Sequence, residues 1–279
     1  MAENTAKKAF SDLWTATTDR SGKIDRIDTL AGQTFMTKTL IQNFFTRWLP
    51  AVGAVLMAAT AASAATSFKD DMAQRTLACT ACHGPQGRAA PDGYYPRLAG
   101  KPAGYLYNQL INFREGKRHY ALMTQLVAPL TDAYLMEMAQ HFSGLEVPYP
   151  APGQTSASAA VLARGRQLIL QGEPARGIPA CVQCHGSAMT GVAPNVPGLL
   201  GLPRDYLNAQ LGAWKTGKRR AHAPDCMKAV VALLSDDDIN AASSYLVAQA
   251  LPANTKPAIS APPLAAGQTA VSCGSAARP

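Results

Sequence analysis

Two pentapeptides with one shared pattern decide how this chain folds: Cys79-Thr80-Ala81-Cys82-His83 and Cys181-Val182-Gln183-Cys184-His185. The pattern Cys-x-x-Cys-His is typical of covalent haem c attachment, in which each thiol adds to one vinyl group of the haem. The histidine is then held beneath the iron, where a neutral imidazole nitrogen is a strong ligand. The two motifs predict two covalently bound haem c (iron) groups. The attachment residues are Cys79, Cys82, Cys181 and Cys184, and the proximal iron ligands are His83 and His185.

A Cys-x-x-Cys pair also occurs in zinc sites and in thioredoxin-like redox pairs. Zinc would need four ligands brought together. Here each motif begins its own copy of a repeat and is followed, at a distance, by its own methionine. Haem attachment therefore explains the two motifs better than either alternative.

The sequence after the motifs is duplicated at a constant offset. The matching pairs are Pro96-Arg97-Leu98-Ala99-Gly100 with Pro197-Gly198-Leu199-Leu200-Gly201, Tyr105-Leu106-Tyr107-Asn108-Gln109-Leu110 with Tyr206-Leu207-Asn208-Ala209-Gln210-Leu211, and Gly116-Lys117-Arg118 with Gly217-Lys218-Arg219. A chain of 279 residues has room for one or two domains of roughly 150 residues each. The duplication predicts two haem domains.

The first quarter of the chain includes the layout of an export signal. Met36 is a second plausible start, Lys38 and Arg47 supply positive charge, and an apolar run covers 49–62. Small residues that a signal peptidase accepts follow at Ala62-Ser63-Ala64. The run is short for a bilayer span, so it predicts a signal peptide and export to the periplasm. An uncleaved anchor helix, which would leave the protein membrane-associated, is the alternative.

The net charge of +8 includes this leader. Without residues 1–64 the chain has 19 Lys/Arg against 13 Asp/Glu, an excess of +6. The propionates of two haems would cancel most of that excess. Because the sequence also lacks interleaved basic and aromatic residues, we expect no nucleic-acid partner. The local clusters Lys117-Arg118 and Lys218-Arg219-Arg220 suit haem propionates, an acidic partner protein, or a solvated loop without either role.

The second axial ligand decides how each haem behaves. A thioether raises the reduction potential, a second imidazole generally lowers it, and an open position admits small molecules. Methionine is the best candidate at both sites. Met123 and Met227 each lie in a predicted loop before a final helix that Thr131 or Ser235 would cap.

Three other side chains compete for these positions. His119 and His222 lie in the same two loops, and Cys226 directly precedes Met227 and could bind iron as a thiolate. Cys226 and Cys273 are, however, the two cysteines that lie outside the haem motifs. Export leads to a compartment that permits disulfides. We therefore expect a disulfide between them, with two free thiols as the alternative.

Hydrophobic periodicity predicts helices at about 70–82, 103–114 and 131–143, followed by 158–171 and one that begins at Ser235. A linker with Pro148, Pro150 and Pro152 cannot continue a helix. Beyond Pro252, proline and alanine dominate, and we expect a poorly ordered tail that is held at most by Cys273.

These features together resemble the dihaem cytochrome c4 group, which has two class I cytochrome c domains in tandem. The resemblance covers 67 to about 250. It implies an all-α fold of two tandem cytochrome c-type helical domains, each wrapped around one covalently bound haem, with pseudo-twofold packing. It also implies that the carbonyls of Pro96 and Pro197 accept the proximal histidine N–H. The longer loop before Met227 and the cysteine-bearing tail depart from the family pattern.

On this basis the chain divides into six parts. These are 1–35, an upstream extension or misassigned start; 36–64, the signal peptide; 65–146, cytochrome c domain 1; 147–157, a linker; 158–250, cytochrome c domain 2; and 251–279, a Pro/Ala-rich tail.

The resemblance implies a periplasmic electron carrier without catalytic residues. It would pass single electrons from a quinol-oxidising complex or periplasmic dehydrogenase to a terminal oxidase or reductase. Two alternatives belong to other classes. One is a dihaem redox enzyme of the peroxidase or thiosulfate-oxidising type, with an open or thiolate-ligated iron. The other is a cytochrome subunit of a larger dehydrogenase.

Overall fold

Helices dominate the part of the chain that the computed structural model describes, which is residues 69–90, 93–264 and 270–276. The predicted upstream extension and signal peptide, 1–64, lie outside these residues. No helix in the described ranges is long and apolar enough to cross a membrane. Residues Phe68–Pro279 form one compact unit, so the division into domains at 147–157 stays a prediction.

The first half contains five helices and one 3₁₀ turn among its described residues. In chain order they are α1 Met72–Arg75, α2 Leu77–His83, the 3₁₀ turn Pro85–Gly87, α3 Ala103–Arg114, α4 Ala121–Val127 and α5 Asp132–Gly144.

The second half repeats this plan and adds a small hairpin. Its described elements are α6 Ala159–Leu170, the 3₁₀ turn Pro174–Arg176, α7 Val182–His185, β1 Gly191–Val192, β2 Val196–Pro197, α8 Arg204–Lys215, α9 Cys226–Ala232 and α10 Asp236–Val247. Strands β1 and β2 pair antiparallel. The predicted helical class is confirmed, but the regions around Met123 and Met227, expected as loops, form the short helices α4 and α9.

The core of the first half lies between α3, α4 and α5. The predicted apolar stripe of α5 is confirmed, because Leu135, Met138, Ala139 and Phe142 are all buried. Burying a side chain of this size contributes about 1.5–3 kcal/mol. Helix α3 differs from a one-sided amphipathic helix: Asn108 and other polar residues on its far side are also buried, because that side faces the second half.

Helices α6 and α10 form the core of the second half. They approach so closely that a Cβ on Gly165 would lie 2.2 Å from the Ala241 carbonyl oxygen. Only glycine permits this contact without moving a helix. Ile169, Ala242 and Leu246 from this pair join Leu207 of α8 in one buried apolar cluster.

Both predicted helix caps are confirmed. The Thr131 hydroxyl accepts a hydrogen bond from the Tyr134 N–H at the start of α5. Ser235 and Asp238 form a capping box at the start of α10, in which each side chain accepts from the backbone N–H of the other residue. The reciprocal bonds satisfy two of the N–H groups that a helix start otherwise leaves unpaired.

The C-terminal tail is more firmly held than the sequence predicts. The predicted disulfide joins Cys226 to Cys273, and the Gly274 N–H donates to the Pro224 carbonyl at 2.9 Å. The tail is also held further upstream, which corrects the expectation of a single anchor. There Ala258 donates to the Gly191 carbonyl and accepts from the Ala193 N–H, so its backbone extends the hairpin. Unpaired backbone groups at a strand edge favour such pairing, whatever the side chains.

We expect Cys273→Ser to lower the free energy of unfolding by about 2 kcal/mol, toward the low end for a disulfide. The loop closed by the disulfide is long, but its far end is a peripheral tail that can detach without opening the helical core. Chemical denaturation of the oxidised wild-type protein and the variant measures the difference. Equal stabilities would show that the disulfide does not constrain the unfolded chain. Adding a thiol reductant should lower the wild-type protein to the value of the variant and leave the variant unchanged.

Candidate haem sites

The first motif forms the C-terminal end of α2, where Cys79, Cys82 and His83 lie within one and a half turns. The His83 imidazole is 8% exposed, and its Nδ1 lies 2.8 Å from the Pro96 carbonyl oxygen. A carbonyl can only accept, so Nδ1 carries a proton, and in the neutral ring Nε2 then keeps the lone pair. The hydrogen bond predicted from the resemblance is confirmed, and it orients the ring for metal binding.

The second motif is built in the same way on Cys181 and α7. His185 is 7% exposed, and its Nδ1 donates to the Pro197 carbonyl at 2.7 Å. Burial lowers the pKa of both His83 and His185, which favours the neutral imidazole. At both sites Nδ1 is thus held by a carbonyl, which leaves Nε2 as the ring nitrogen for a metal.

The four motif cysteines are free thiols. Burial raises the pKa of the Cys181 thiol to about 12 and also raises the pKa values of Cys79 and Cys184. No cluster of three or more His, Cys, Asp or Glu side chains that could hold a metal ion occurs in the described residues.

Both methionine candidates lie on short helices rather than in loops. Met123 is on α4 and packs against the same apolar cluster as Cys79 of the first motif. Met227 is the second residue of α9 and is half-buried. Each of these helices is seven residues long, about two turns, and lies between loops, just before α5 or α10. Ligation of iron by Met123 and Met227 remains a prediction.

The competitors for these positions are less well placed. Cys226 is bonded to Cys273, so it is not a thiolate ligand in this structure, which contradicts that alternative. His119 is exposed, and its backbone N–H donates to the Lys218 carbonyl of the second half. His222 is half-buried beside the tail.

Three tyrosines that sequence reasoning missed surround the first site. The Tyr95 ring packs edge-on against His83 with 5.9 Å between ring centroids, and its hydroxyl lies 3.3 Å from that of Tyr120. Tyr94 packs against Tyr95 and is 61% exposed. Two adjacent tyrosines directly precede Pro96, and this pair was the signal in the sequence that could have indicated the group. The second half has Asn195 and Val196 there, so the tyrosine group is specific to the first site.

The two Gly-Lys-Arg turns meet each other across the halves. Arg118 donates to the Tyr206 hydroxyl at 2.9 Å and to Gln210 Oε1 at 2.8 Å. Arg219 donates to Gln109 Oε1 at 2.9 Å, and the backbones of the two arginines pair as an antiparallel bridge. The solvated-loop interpretation is therefore wrong for both arginines.

Both of these guanidinium groups lie over an aromatic ring, and one of the two rings carries a donor that is unpaired within the described residues. Arg118 stacks on Phe113, and Arg219 stacks on Trp214 with 3.9 Å from the guanidinium carbon to the ring centroid. Trp214 Nε1 is buried and has no hydrogen-bond partner among the described residues. A buried donor without an acceptor suits an anion such as a haem propionate. The thiol pairs, the two imidazoles and this indole N–H therefore fit haem c.

Comparison with known proteins identifies the family. A cytochrome c family model matches residues 162–250. A thiosulfate dehydrogenase electron acceptor from Thiomonas intermedia is 38% identical over 201 residues, 72% of this chain and 88% of that protein. Cytochrome c4 from Pseudomonas aeruginosa is 33% identical over 174 residues, 62% of this chain and 84% of that protein. The chain belongs to the cytochrome c4 family.

A solved cytochrome c4 structure agrees with this assignment. The reduced recombinant cytochrome c4 from Pseudomonas stutzeri is 30% identical with a TM-score of 0.54, covering 62% of this chain and 96% of that one. As a cytochrome c4 family member, the chain is an electron-transfer protein rather than an enzyme, and it carries covalently bound haem c. The predictions of cytochrome c fold and electron carriage are confirmed, and the comparisons do not favour the dihaem enzyme alternative.

Proposed function

We propose that this cytochrome carries two haem c groups and transfers single electrons in the periplasm. One haem would be attached to Cys79 and Cys82, and the other to Cys181 and Cys184. The iron ligands would be His83 with Met123 and His185 with Met227. The observation that supports two sites is the matched pair of imidazole Nδ1 bonds, 2.8 Å to Pro96 and 2.7 Å to Pro197.

When bound, each haem supplies a reversible one-electron couple. The residues of the chain decide how that couple is used. A histidine and a methionine would both bind the iron at each site, which would leave no iron position for a substrate. Arg118 and Arg219, with Trp214 Nε1, would hold propionates where the two halves meet. The tyrosine group beside His83 would shield the first proximal ring from water.

We infer the electron donor from the relatives. Two of them, including the Thiomonas intermedia protein, are named as electron acceptors of thiosulfate dehydrogenase. A periplasmic thiosulfate-oxidising dehydrogenase is therefore the proposed donor, and a terminal oxidase or reductase is the proposed acceptor. A quinol-oxidising complex is the competing donor. The apolar run at 49–62 and the small residues at its end support export. If this segment were not cleaved, it would add membrane association.

The test uses the mature protein after secretion by a host that attaches haem c. Haem content per chain and intact mass should give two haems, and a Cys181→Ala/Cys184→Ala variant should retain one. Purified thiosulfate dehydrogenase with thiosulfate should reduce the wild-type protein within seconds. Omitting thiosulfate is the control. A single haem in the wild-type protein would refute the two-site proposal, and reduction only by a quinol-oxidising complex would refute the proposed donor.

A further inference from the structure

Lys101 is a buried lysine that the internal sequence repeat does not explain. It lies in the loop before α3 and is only 3% exposed. The corresponding position in the second half is Leu202, so the lysine is not part of the repeat. Burying an ammonium group is costly unless something compensates for the lost water. Such a residue calls for a specific role.

Its ammonium reaches across to the second haem site. Lys101 Nζ donates to the Gly198 carbonyl at 2.6 Å, and Gly198 directly follows Pro197, which accepts from His185 Nδ1. After burial, which is the largest cause, the charge of Lys101 also lowers the pKa of His185. The first half thus places a cation on the proximal side of the second site.

At the first site the cation that acts on the proximal histidine is Arg118, whose charge lowers the pKa of His83 after burial, which is the largest cause. Arg97 occupies the position that matches Gly198, but its guanidinium group donates to carbonyls of its own half, among them Ala99 at 3.0 Å and Pro148 at 3.0 Å. It also stacks on Tyr149. The two proximal sides therefore differ in the kind of cation that acts on them: a guanidinium, which stays charged, at the first site and a buried lysine, which can lose its charge, at the second.

Lys101 also lacks a counter-ion within the described ranges. The ion pairs of these residues do not include it, and the charged or titratable groups that act on it or respond to it are Arg97 and His185. Burial first, and repulsion from Arg97 second, lower the pKa of Lys101 to about 7. The group can therefore change its charge near neutral pH.

We propose that Lys101 sets the reduction potential of the second haem and couples its reduction to proton uptake. This inference rests on the proposed function, because it requires a redox-active iron at His185. A nearby positive charge favours the reduced state, since reduction removes one positive charge from the iron site. The electron comes from the donor protein, and Nζ takes up the accompanying fraction of a proton from solvent.

The coupling has a definite sign. Reduction favours the ammonium form of Lys101, and by reciprocity the ammonium form favours reduction. The stabilisation of the reduced state is present below the pKa of Lys101 and is lost as pH rises through about 7. The potential of the second haem should fall across this range, whereas Lys101 contributes no such fall to the first haem.

The experiment is potentiometric titration of the dihaem protein at pH 6 and pH 8 for the wild type, Lys101→Met and Lys101→Arg. Arg166→Met, which removes an exposed charge from α6 of the second half, is the matched control. A Met227→His variant, whose second potential drops, identifies the transition. At pH 6, Lys101→Met should make reduction of the second haem about tenfold less favourable, which is about 59 mV for one electron. It should also remove most of the pH dependence, and Lys101→Arg should keep the higher potential at both pH values.

Equal second-haem potentials in the wild type and Lys101→Met at pH 6 would overturn the proposal. If Lys101 had only a structural role, its replacement would weaken folding. The second-haem potential would then depend on pH in the same way in Lys101→Met and Lys101→Arg. If Lys101→Met fails to fold, the wild-type protein still decides, because a second-haem potential that is flat from pH 6 to pH 8 contradicts the coupling. Failure of the proposed function is distinguishable, since it would appear as fewer than two redox transitions in the wild type.

Discussion

Replacing Met123 with histidine lowers the reduction potential of the first haem, by a sizeable part of the roughly 0.8 V range that axial ligands control. The thioether stabilises ferrous iron, whereas a second imidazole favours the ferric state. The methionine-to-iron charge-transfer band of one haem should disappear, and the second haem should keep its band and its potential. Met123→Ala should abolish the same band and leave that iron high-spin or with an adventitious ligand.

A neighbouring methionine provides the control for this result. Met136 is half-buried on α5 and is not proposed as a ligand. Met136→Leu should leave both potentials and both bands in place. Persistence of two methionine bands in Met123→His would refute the assignment of Met123. Loss of both bands would show that the two sites do not bind their ligands independently.

Asp238→Ala should lower the free energy of unfolding by about 2–4 kcal/mol, because it removes the carboxylate partner of two part-exposed arginines together with a helix cap. The side chain of Asp238 is 5% exposed. It accepts from Arg164 Nη2 at 2.7 Å and from Arg176 Nη1 at 2.9 Å, and it completes the capping box of α10. These arginines join α6, the following 3₁₀ turn and α10, so the loss affects the core of the second half. Denaturant titration with the haems attached measures it.

Asp132 offers a matched control. It is the first residue of α5, it pairs with Arg114 at 2.5 Å, and its side chain is 66% exposed. Because an exposed pair is strongly solvated, Asp132→Ala should cost less than about 1 kcal/mol. Equal losses for the two substitutions would contradict the special role of Asp238.

The same carboxylate predicts a pH dependence of stability. Burial alone would raise the pKa of Asp238, but hydrogen bonds from Arg164, the Ser235 backbone and Arg176 outweigh it and lower the pKa to about 2. A lowered folded-state pKa means that the stabilisation is present above pH 4 and is lost as pH falls toward 2. The wild type should lose about 2 kcal/mol over this range through Asp238. Asp238→Asn should lack that component.

Local sequence patterns predicted the features that depend on neighbours in the chain. The motifs at Cys79 and Cys181 predicted two attachment sites, and the hydroxyl residues Thr131 and Ser235 predicted the caps. The pairing of Cys226 with Cys273 was predicted because they are the two cysteines outside the haem motifs and because the chain is predicted to be exported. The Pro96 and Pro197 bonds required the family resemblance, because no local rule relates a histidine to a carbonyl more than ten positions away.

The features that the sequence did not predict depend on contacts between distant segments. Ala258 pairs with β1 through its backbone, which leaves no trace in side-chain pattern. Arg118 and Arg219 are held by glutamines and tyrosines of the opposite half, and a repeat alignment shows equivalence rather than contact. Lys101 is missed for a related reason: as a unique residue in a duplicated chain, it has no counterpart whose role would reveal its own.

The most direct test of the account is a potentiometric titration of the mature protein with visible and near-infrared spectra recorded in the same cell. We expect two one-electron transitions per chain, both at high potential, and a methionine-to-iron charge-transfer band for each haem. A single transition, or a second haem that is high-spin or at low potential, would contradict two histidine–methionine sites and hence the proposed dihaem carrier.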